Sequence, residues 1–212
     1  MKRLIIVGAG GLGREVEALA RMDYANGKEW YIAGFLDTRE GQLADIPVDV
    51  GVIGDPQDYV PTGDDIFVVA IGDPKIKRKL VAPLKLKGAN FVSLRTNVRM
   101  AGRVRFGSVV FGDGARISVE TTLGDFVYIG DDCVIGHDVT IGDYAHVGTR
   151  CFIAGNATIG EGAVIHPMSC VAIGVKVGKG ATVGLGSVVF HDVPEGATVV
   201  GNPARKLEKV RP

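Results

Sequence analysis

The chain has 212 residues, 46% of them hydrophobic, with 24 basic and 24 acidic side chains and no formal net charge. A balanced surface offers no bulk field for nucleic acid or an anionic membrane, so neither is expected as a partner. No apolar run has the length of a membrane span, and Met1-Lys2-Arg3 opens directly into an apolar run too short for a signal sequence, which leads us to expect a soluble, cytoplasmic protein. Three cysteines without metal-like spacing argue against a disulfide framework and against a metal site.

Residues 4–7 read as a short strand. Gly8-Ala9-Gly10-Gly11-Leu12-Gly13 follows, and residues 14–20 have helical composition, giving strand, glycine turn and helix. The spacing of Gly8, Gly10 and Gly13 matches the dinucleotide-binding fingerprint, in which bare backbone lets a pyrophosphate approach amides at the positive end of a helix. Glycines that only make tight turns would read the same way. A second strand over 31–36 ends at Asp37, 24 residues past Gly13, where an acidic residue commonly meets a ribose hydroxyl. A third strand over 66–71 ends in Gly72-Asp73-Pro74 before a basic helix over 75–80. The three strand ends would line one edge of a parallel sheet, the ligand edge of such folds. This α/β pattern stops near residue 95, about half of a full dinucleotide fold, so a mononucleotide diphosphate fits better than a nicotinamide dinucleotide. The basic runs Lys75, Lys77, Arg78, Lys79 and Lys85, Lys87 are expected on solvated helix faces.

The second half has a different grammar. Eleven positions six residues apart, from Ile129 through Ile135, Ile141 and Val147 to Val189, are all branched aliphatics. A fixed six-residue period is the signature of a solenoid, whose units are too small to bury their own apolar faces and need stacked neighbours. Glycine often follows the aliphatic, as at Gly130, Gly136 and Gly142, and is expected to supply backbone freedom at corners. Four places after the aliphatic stands a compact side chain, such as Cys133, Val139, Ala145 or Cys151, so each unit points one large and one small plug inward. Cys133 and Cys151 should stack as reduced, buried plugs, with Cys170 facing outward. The period runs back through Leu123 and Ile117 and then one residue out of phase through Val110, Val104 and Val98, which implies a bulge or loop over 111–115. The Ile-Gly-x-x-x-x repeat resembles the hexapeptide-repeat proteins, whose 18-residue triangular coils wind left-handed. The expected fold class is therefore an α/β Rossmann-like half-domain over 1–95, followed by an all-β left-handed parallel β-helix over 96–212.

Of the four histidines, three lie inside the repeat. His137 is at an outward position followed by Asp138, and a carboxylate beside an imidazole fixes it and favours its protonated form, as a general base requires. Ser169 and Thr149 have no histidine at a position that would make it their partner, and Cys133 should be buried, so no activated nucleophile is evident.

The stretch Val134-Ile135-Gly136-His137-Asp138-Val139-Thr140-Ile141-Gly142-Asp143-Tyr144-Ala145-His146-Val147 resembles the active-site segment of the bacterial nucleotide-sugar acetyltransferases of NeuD/PglD type, which include UDP-4-amino-sugar N-acetyltransferases and sialic-acid O-acetyltransferase-like proteins. Gly8 to Gly13, Phe35-Leu36-Asp37, Ala70-Ile71-Gly72, Ala154-Gly155-Asn156 and Val200-Gly201-Asn202-Pro203-Ala204 fall in that family's order. The resemblance implies an acetyl-CoA co-substrate, a nucleotide-sugar acceptor, with a UDP-4-amino sugar expected, and a homotrimer with sites between subunits. It implies His137 as base, Asp138 as its acid partner and His146 near the acetyl thioester. It implies Pro167 and Leu185 as coenzyme contacts. For the nucleotide sugar it implies Gly10, Gly11, Leu12, Asp37, Thr38 and Gly72. Leu12 stands where the family often has histidine, and Gly130-Asp131-Asp132-Cys133 replaces a serine-rich segment; both bear on which sugar is used. Two other readings compete: a non-catalytic nucleotide-sugar-binding trimer, and a zinc enzyme resembling the γ-class carbonic anhydrases. The second would need the close histidine pair that this chain lacks.

Overall fold

The apolar run after Met1 forms β1 (Lys2–Val7), and Ile5, Ile6 and Val7 are fully buried. A computed structural model describes residues 1–39 and 41–207, and the chain divides into two units, Met1–Thr96 and Asn97–Pro212. The first unit continues with α1 (Gly11–Met22), β2 (Trp30–Leu36), β3 (Val52–Gly54), β4 (Asp65–Val69), α2 (Pro74–Leu86) and β5 (Asn90–Phe91). All strands are parallel in the order β3-β2-β1-β4-β5. Strands β3 and β5 add edges that the alternation of apolar residues did not reveal, because each is only two or three residues long. The chain turns one way from β1 to β2 and the other way from β2 to β4. The order therefore reverses beside β1, opening a crevice at the carboxyl ends of β1 and β4.

The basic helix departs from expectation at one side chain. Lys77 is 1% exposed, on the same face of α2 as Leu80, Val81 and Leu84, whereas Lys75, Arg78 and Lys79 are solvated. Helical periodicity explains it, since residues 77, 80, 81 and 84 share one stripe. Burial lowers the Lys77 ammonium to about 7 against the opposing pull of Asp73.

The second unit is a left-handed parallel β-helix with three faces. Face one stacks Arg105–Phe106, Thr122–Leu123, Thr140–Ile141, Thr158–Ile159 and Lys176–Val177. Face two runs from Val109–Phe111 through Val127–Ile129, His146–Val147, Val164–Ile165 and Thr182–Val183 to Thr198–Val200, where Arg205–Lys206 pairs antiparallel. Face three stacks Arg99–Met100, Arg116–Ile117, Val134–Ile135, Phe152–Ile153, Cys170–Val171 and Val188–Val189. Partners such as Ile129 and Val147, or Ile135 and Ile153, are 18 residues apart. The inward aliphatics and compact plugs form one continuous core, among them Ile135, Val139, Ile141 and Ala145. Each buried aliphatic contributes about 1.5–3 kcal/mol, against ~0–1 for an exposed ion pair such as Asp132 with Arg150, so the core holds the coil.

The corners work differently from expectation. Where glycine follows the aliphatic, the next coil passes close by. A Cβ on Gly130 would stand 2.5 Å from the Thr149 nitrogen, and one on Gly136 2.6 Å from the Gly155 nitrogen. The left-handed backbone falls two residues later, at Asp132, Asp138, Tyr144, Arg150 and Asn156, all with φ between 52° and 61°. Asp and Asn enter that region more readily than other side chains.

The register break also moves. Phe106 pairs with Leu123, 17 residues on, while Val109 pairs with Val127, 18 on, so one residue is missing at Gly107-Ser108 and residues 111–115 carry no insertion. The large inward residues before Ile117 are Phe111, Phe106 and Met100. Val110 instead aligns with Tyr128, outside the coil's core. Val98 and Val104 also pack against this core as smaller plugs, beside the bulkier side chains that fill this end of the coil.

Cys133 and Cys151 are free and buried. Each also closes a corner: Cys133 Sγ donates to the Gly148 carbonyl at 3.0 Å and Cys151 Sγ to that of His166 at 3.2 Å, as Ser169 Oγ does to Gly184 at 2.9 Å. The adjoining Cys151 thiol and burial push the Cys133 thiol above the ordinary range, which removes it as a nucleophile. Among the described residues no helix is long and apolar enough to cross a membrane.

Candidate active site

The crevice of the first unit is a cavity of about 410 Å³. Its walls include Gly10, Gly11, Leu12, Asp37, Thr38 and Gly72, the six positions proposed for the nucleotide sugar, together with Arg39, Asp73 and Ile76. Two glycines shape it. Gly8 has φ +107°, and a Cβ there would stand 2.7 Å from the Ala70 oxygen; a Cβ on Gly13 would fall 2.0 Å from the Gly8 oxygen. Only bare backbone lets β1, α1 and the loop after β4 close this tightly. Gly10 occupies the N-cap of α1, where no side chain caps the helix.

Asp37 is 7% exposed and fully engaged. Its carboxylate accepts the Ala9 amide at 2.8 Å, the Arg39 amide at 3.0 Å, and Nε and Nη2 of Arg39 at 2.9 Å each. Burial pushes its carboxyl up, but the hydrogen bonds from Arg39 and Ala9 outweigh burial and hold it below the usual carboxylate range. Arg39 was not foreseen from the sequence. Its only signal is the Asp-x-Arg spacing, and nothing in that spacing says the two side chains fold onto each other.

In the second unit, His137 and Asp138 share the corner between faces three and one. His137 Nδ1 lies 2.7 Å from Asp138 Oδ2, with both side chains about half exposed. The backbone places them: the His137 carbonyl accepts the Asn156 amide at 2.9 Å, and Asp138, at φ 57°, donates its own amide to the Val119 carbonyl at 3.1 Å. The imidazole lies over Gly155, one coil on. A Cβ there would stand 2.6 Å from Nε2 and 2.7 Å from Cε1, so the missing side chain makes room for the ring. With Nδ1 donating to the carboxylate, Nε2 carries the lone pair and can take a proton.

The other expected contacts lie elsewhere on the coil. His146 is on face two, its ring stacked on Tyr128 at 4.8 Å between centroids. Pro167 and Leu185 follow one another on the corner between faces two and three, where Pro167 is partly buried and Leu185 is 70% exposed. Within one chain the structure thus joins His137 to Asp138 but to none of these three. Among the described residues no three His, Cys, Asp or Glu side chains form a metal-ligand group.

Comparison with known proteins matches both units. Residues 3–84 match the PglD N-terminal domain, and residues 120–155 match the bacterial transferase hexapeptide family of six repeats. The fold resembles the acetyltransferase domain of PglB from Neisseria gonorrhoeae, solved with acetyl coenzyme A, at 27% identity and TM-score 0.85, covering 97% of this chain and 99% of that one. PerB from Caulobacter crescentus, solved with CoA and GDP-perosamine, is 27% identical with TM-score 0.87 and 98% of each chain covered. WeeI from Acinetobacter baumannii is 25% identical with TM-score 0.77, covering 98% of this chain and 100% of that one. No curated protein sequence matches. With a PglD-type first unit, a hexapeptide second unit and likeness along nearly its whole length to PglB and PerB, the chain is similar to the NeuD/PglD-like sugar acetyltransferases.

Proposed function

We propose that the protein is an acetyl-CoA-dependent N-acetyltransferase acting on the amino group of a nucleotide-linked sugar, with a UDP-4-amino sugar as the first acceptor to test. The reading is carried by the His137–Asp138 pair, an exposed imidazole bonded to a carboxylate at 2.7 Å. The solved relatives support it, since PglB was solved with acetyl coenzyme A and PerB with CoA and GDP-perosamine. Solved forms of perosamine N-acetyltransferase also include two mutants of one histidine.

In this mechanism the sugar amine attacks the thioester carbonyl carbon and gives its proton to Nε2 of His137, while Asp138 stabilises the imidazolium. The tetrahedral intermediate then expels coenzyme A, whose thiolate recovers that proton, and His137 returns to its starting state. A backbone amide or a donor near His146 would stabilise the oxyanion. The first unit would hold the nucleotide end of the acceptor. Because the proposed base and the proposed coenzyme contacts occupy different corners of one coil, we read the working enzyme as a homotrimer whose sites form between copies.

The test is release of free thiol from acetyl-CoA with UDP-4-amino sugars, GDP-perosamine and sialic acid as acceptors. Turnover is expected with a nucleotide-linked amino sugar and not with sialic acid. The His137→Ala variant should lose roughly 10²–10⁴-fold in kcat while both ligands still bind; unchanged turnover would remove His137 from the mechanism. Nucleotide-sugar binding without any thiol release would favour the non-catalytic binding protein.

A further inference from the structure

The cavity of the first unit holds one basic side chain, Arg39, and two carboxylates, Asp37 and Asp73, among its described walls. Both carboxylates are already engaged. Asp73 caps α2, accepting the amides of Lys75 and Ile76 at 2.7 and 3.0 Å. Asp37 grips the guanidinium by Nε and Nη2 at 2.9 Å each and is itself anchored to the Ala9 amide. The guanidinium is thus fixed along one edge while the Arg39 side chain stays 59% exposed. Its Nη2 lies 3.5 Å from the place of a Cβ on Gly10, so it stands over the glycine loop. Leu12, the loop's own side chain at the cavity, brings no polar atom. A guanidinium has five N–H donors, and those outside the grip of Asp37 match phosphate oxygens in charge and geometry.

We propose that Arg39 is the specificity-determining cation of this cavity: it pairs with the diphosphate of the nucleotide, and Asp37 serves as its positioning residue instead of contacting the ribose. The proposal rests on the nucleotide-sugar reading above and adds that the cavity selects nucleoside diphosphates over monophosphates. Asp37 is a poor partner for a ribose hydroxyl because four hydrogen bonds already converge on its two oxygens.

Calorimetric titration of the full-length protein with UDP, UMP, GDP and GMP tests this. The intact protein should bind one diphosphate at least ~10-fold more tightly than the matching monophosphate, as a charge-assisted pair predicts. Arg39→Met should bring that ratio close to one with little change for the monophosphate, Arg39→Lys should restore part of it, and the KM for acetyl-CoA should not move. A ratio preserved in Arg39→Met overturns the proposal while leaving the nucleotide-sugar reading intact. If neither UDP nor GDP binds the intact protein, both fall. For Asp37→Asn the ratio should drop while monophosphate binding persists. An equal loss for diphosphate and monophosphate would instead make Asp37 a direct contact and overturn its positioning role.

Discussion

His137 owes its placement to a residue it does not touch in sequence. The imidazole occupies the space a side chain at Gly155 would fill, with Nε2 2.6 Å from the position of that missing Cβ. A Gly155→Ala variant is expected to push the ring aside and leave the coil intact, since the end of a side chain yields more easily than backbone. Displacement of a reacting group by about 1 Å can cost ~10²-fold, so kcat should fall roughly 10–100-fold with coenzyme affinity and melting temperature nearly unchanged. Steady-state kinetics beside a thermal melt would check it; full activity would mean that the ring's position over Gly155 does not matter. The His137–Asp138 pair was legible in the sequence because its members are adjacent and fall on outward positions of the six-residue period. The part of Gly155 was not, because it arises only when residues 18 apart come to lie in adjacent coils. Arg39 was hidden for another reason: its meaning lies in a side-chain rotamer, which no spacing records.

At the scale of elements, two segments give opposite lessons about pattern. The six-residue period located the inward face of the solenoid, yet the glycines directly after its aliphatics answer to the neighbouring coil, and the left-handed backbone falls two places on, at residues such as Asp132 and Gly162. Gly130→Ala would press a methyl group against the Thr149 backbone at 2.5 Å and is expected to cost about 1–3 kcal/mol. Gly102→Ala, with nothing within 4 Å, should change stability by less than ~1 kcal/mol, and urea unfolding of the two variants would separate close approach from backbone entropy. In α2 the sequence pointed to a solvated basic face, but the stripe through Leu80 and Leu84 takes Lys77 with it. The folded chain holds the Lys77 proton only to about pH 7, against 10.5 for an ordinary lysine. The unfolded chain therefore binds more protons between these values, and stability should rise with pH across that window, by at most ~1.4 kcal/mol per unit for one proton. Lys77→Met should flatten this rise, as urea midpoints at several alkaline pH values would reveal.

For the whole molecule, the two-part architecture could be read from the change of period near residue 95, whereas the short edge strands and the 17-residue coil could not. Assembly is a matter of surface. On face three, Val134 is 36% and Phe152 46% exposed, in register with Cys170 and Val188, and such an apolar column suits the contact between copies that the proposed trimer needs. Phe152→Asp is expected to yield monomers by light scattering and to abolish thiol release, while a monomeric wild type would remove the shared-site reading. The corner-closing thiols add a practical consequence. Cys133 and Cys151 occupy places in a column where Ser169 makes the same bond, so serine at both should be accommodated, leaving Cys170 as the sole sulfhydryl. Because Cys170 stands beside Phe152, a maleimide dye would then tag a lone handle on that wall, and its labelling rate would turn the coil into its own gauge of whether another copy lies against it.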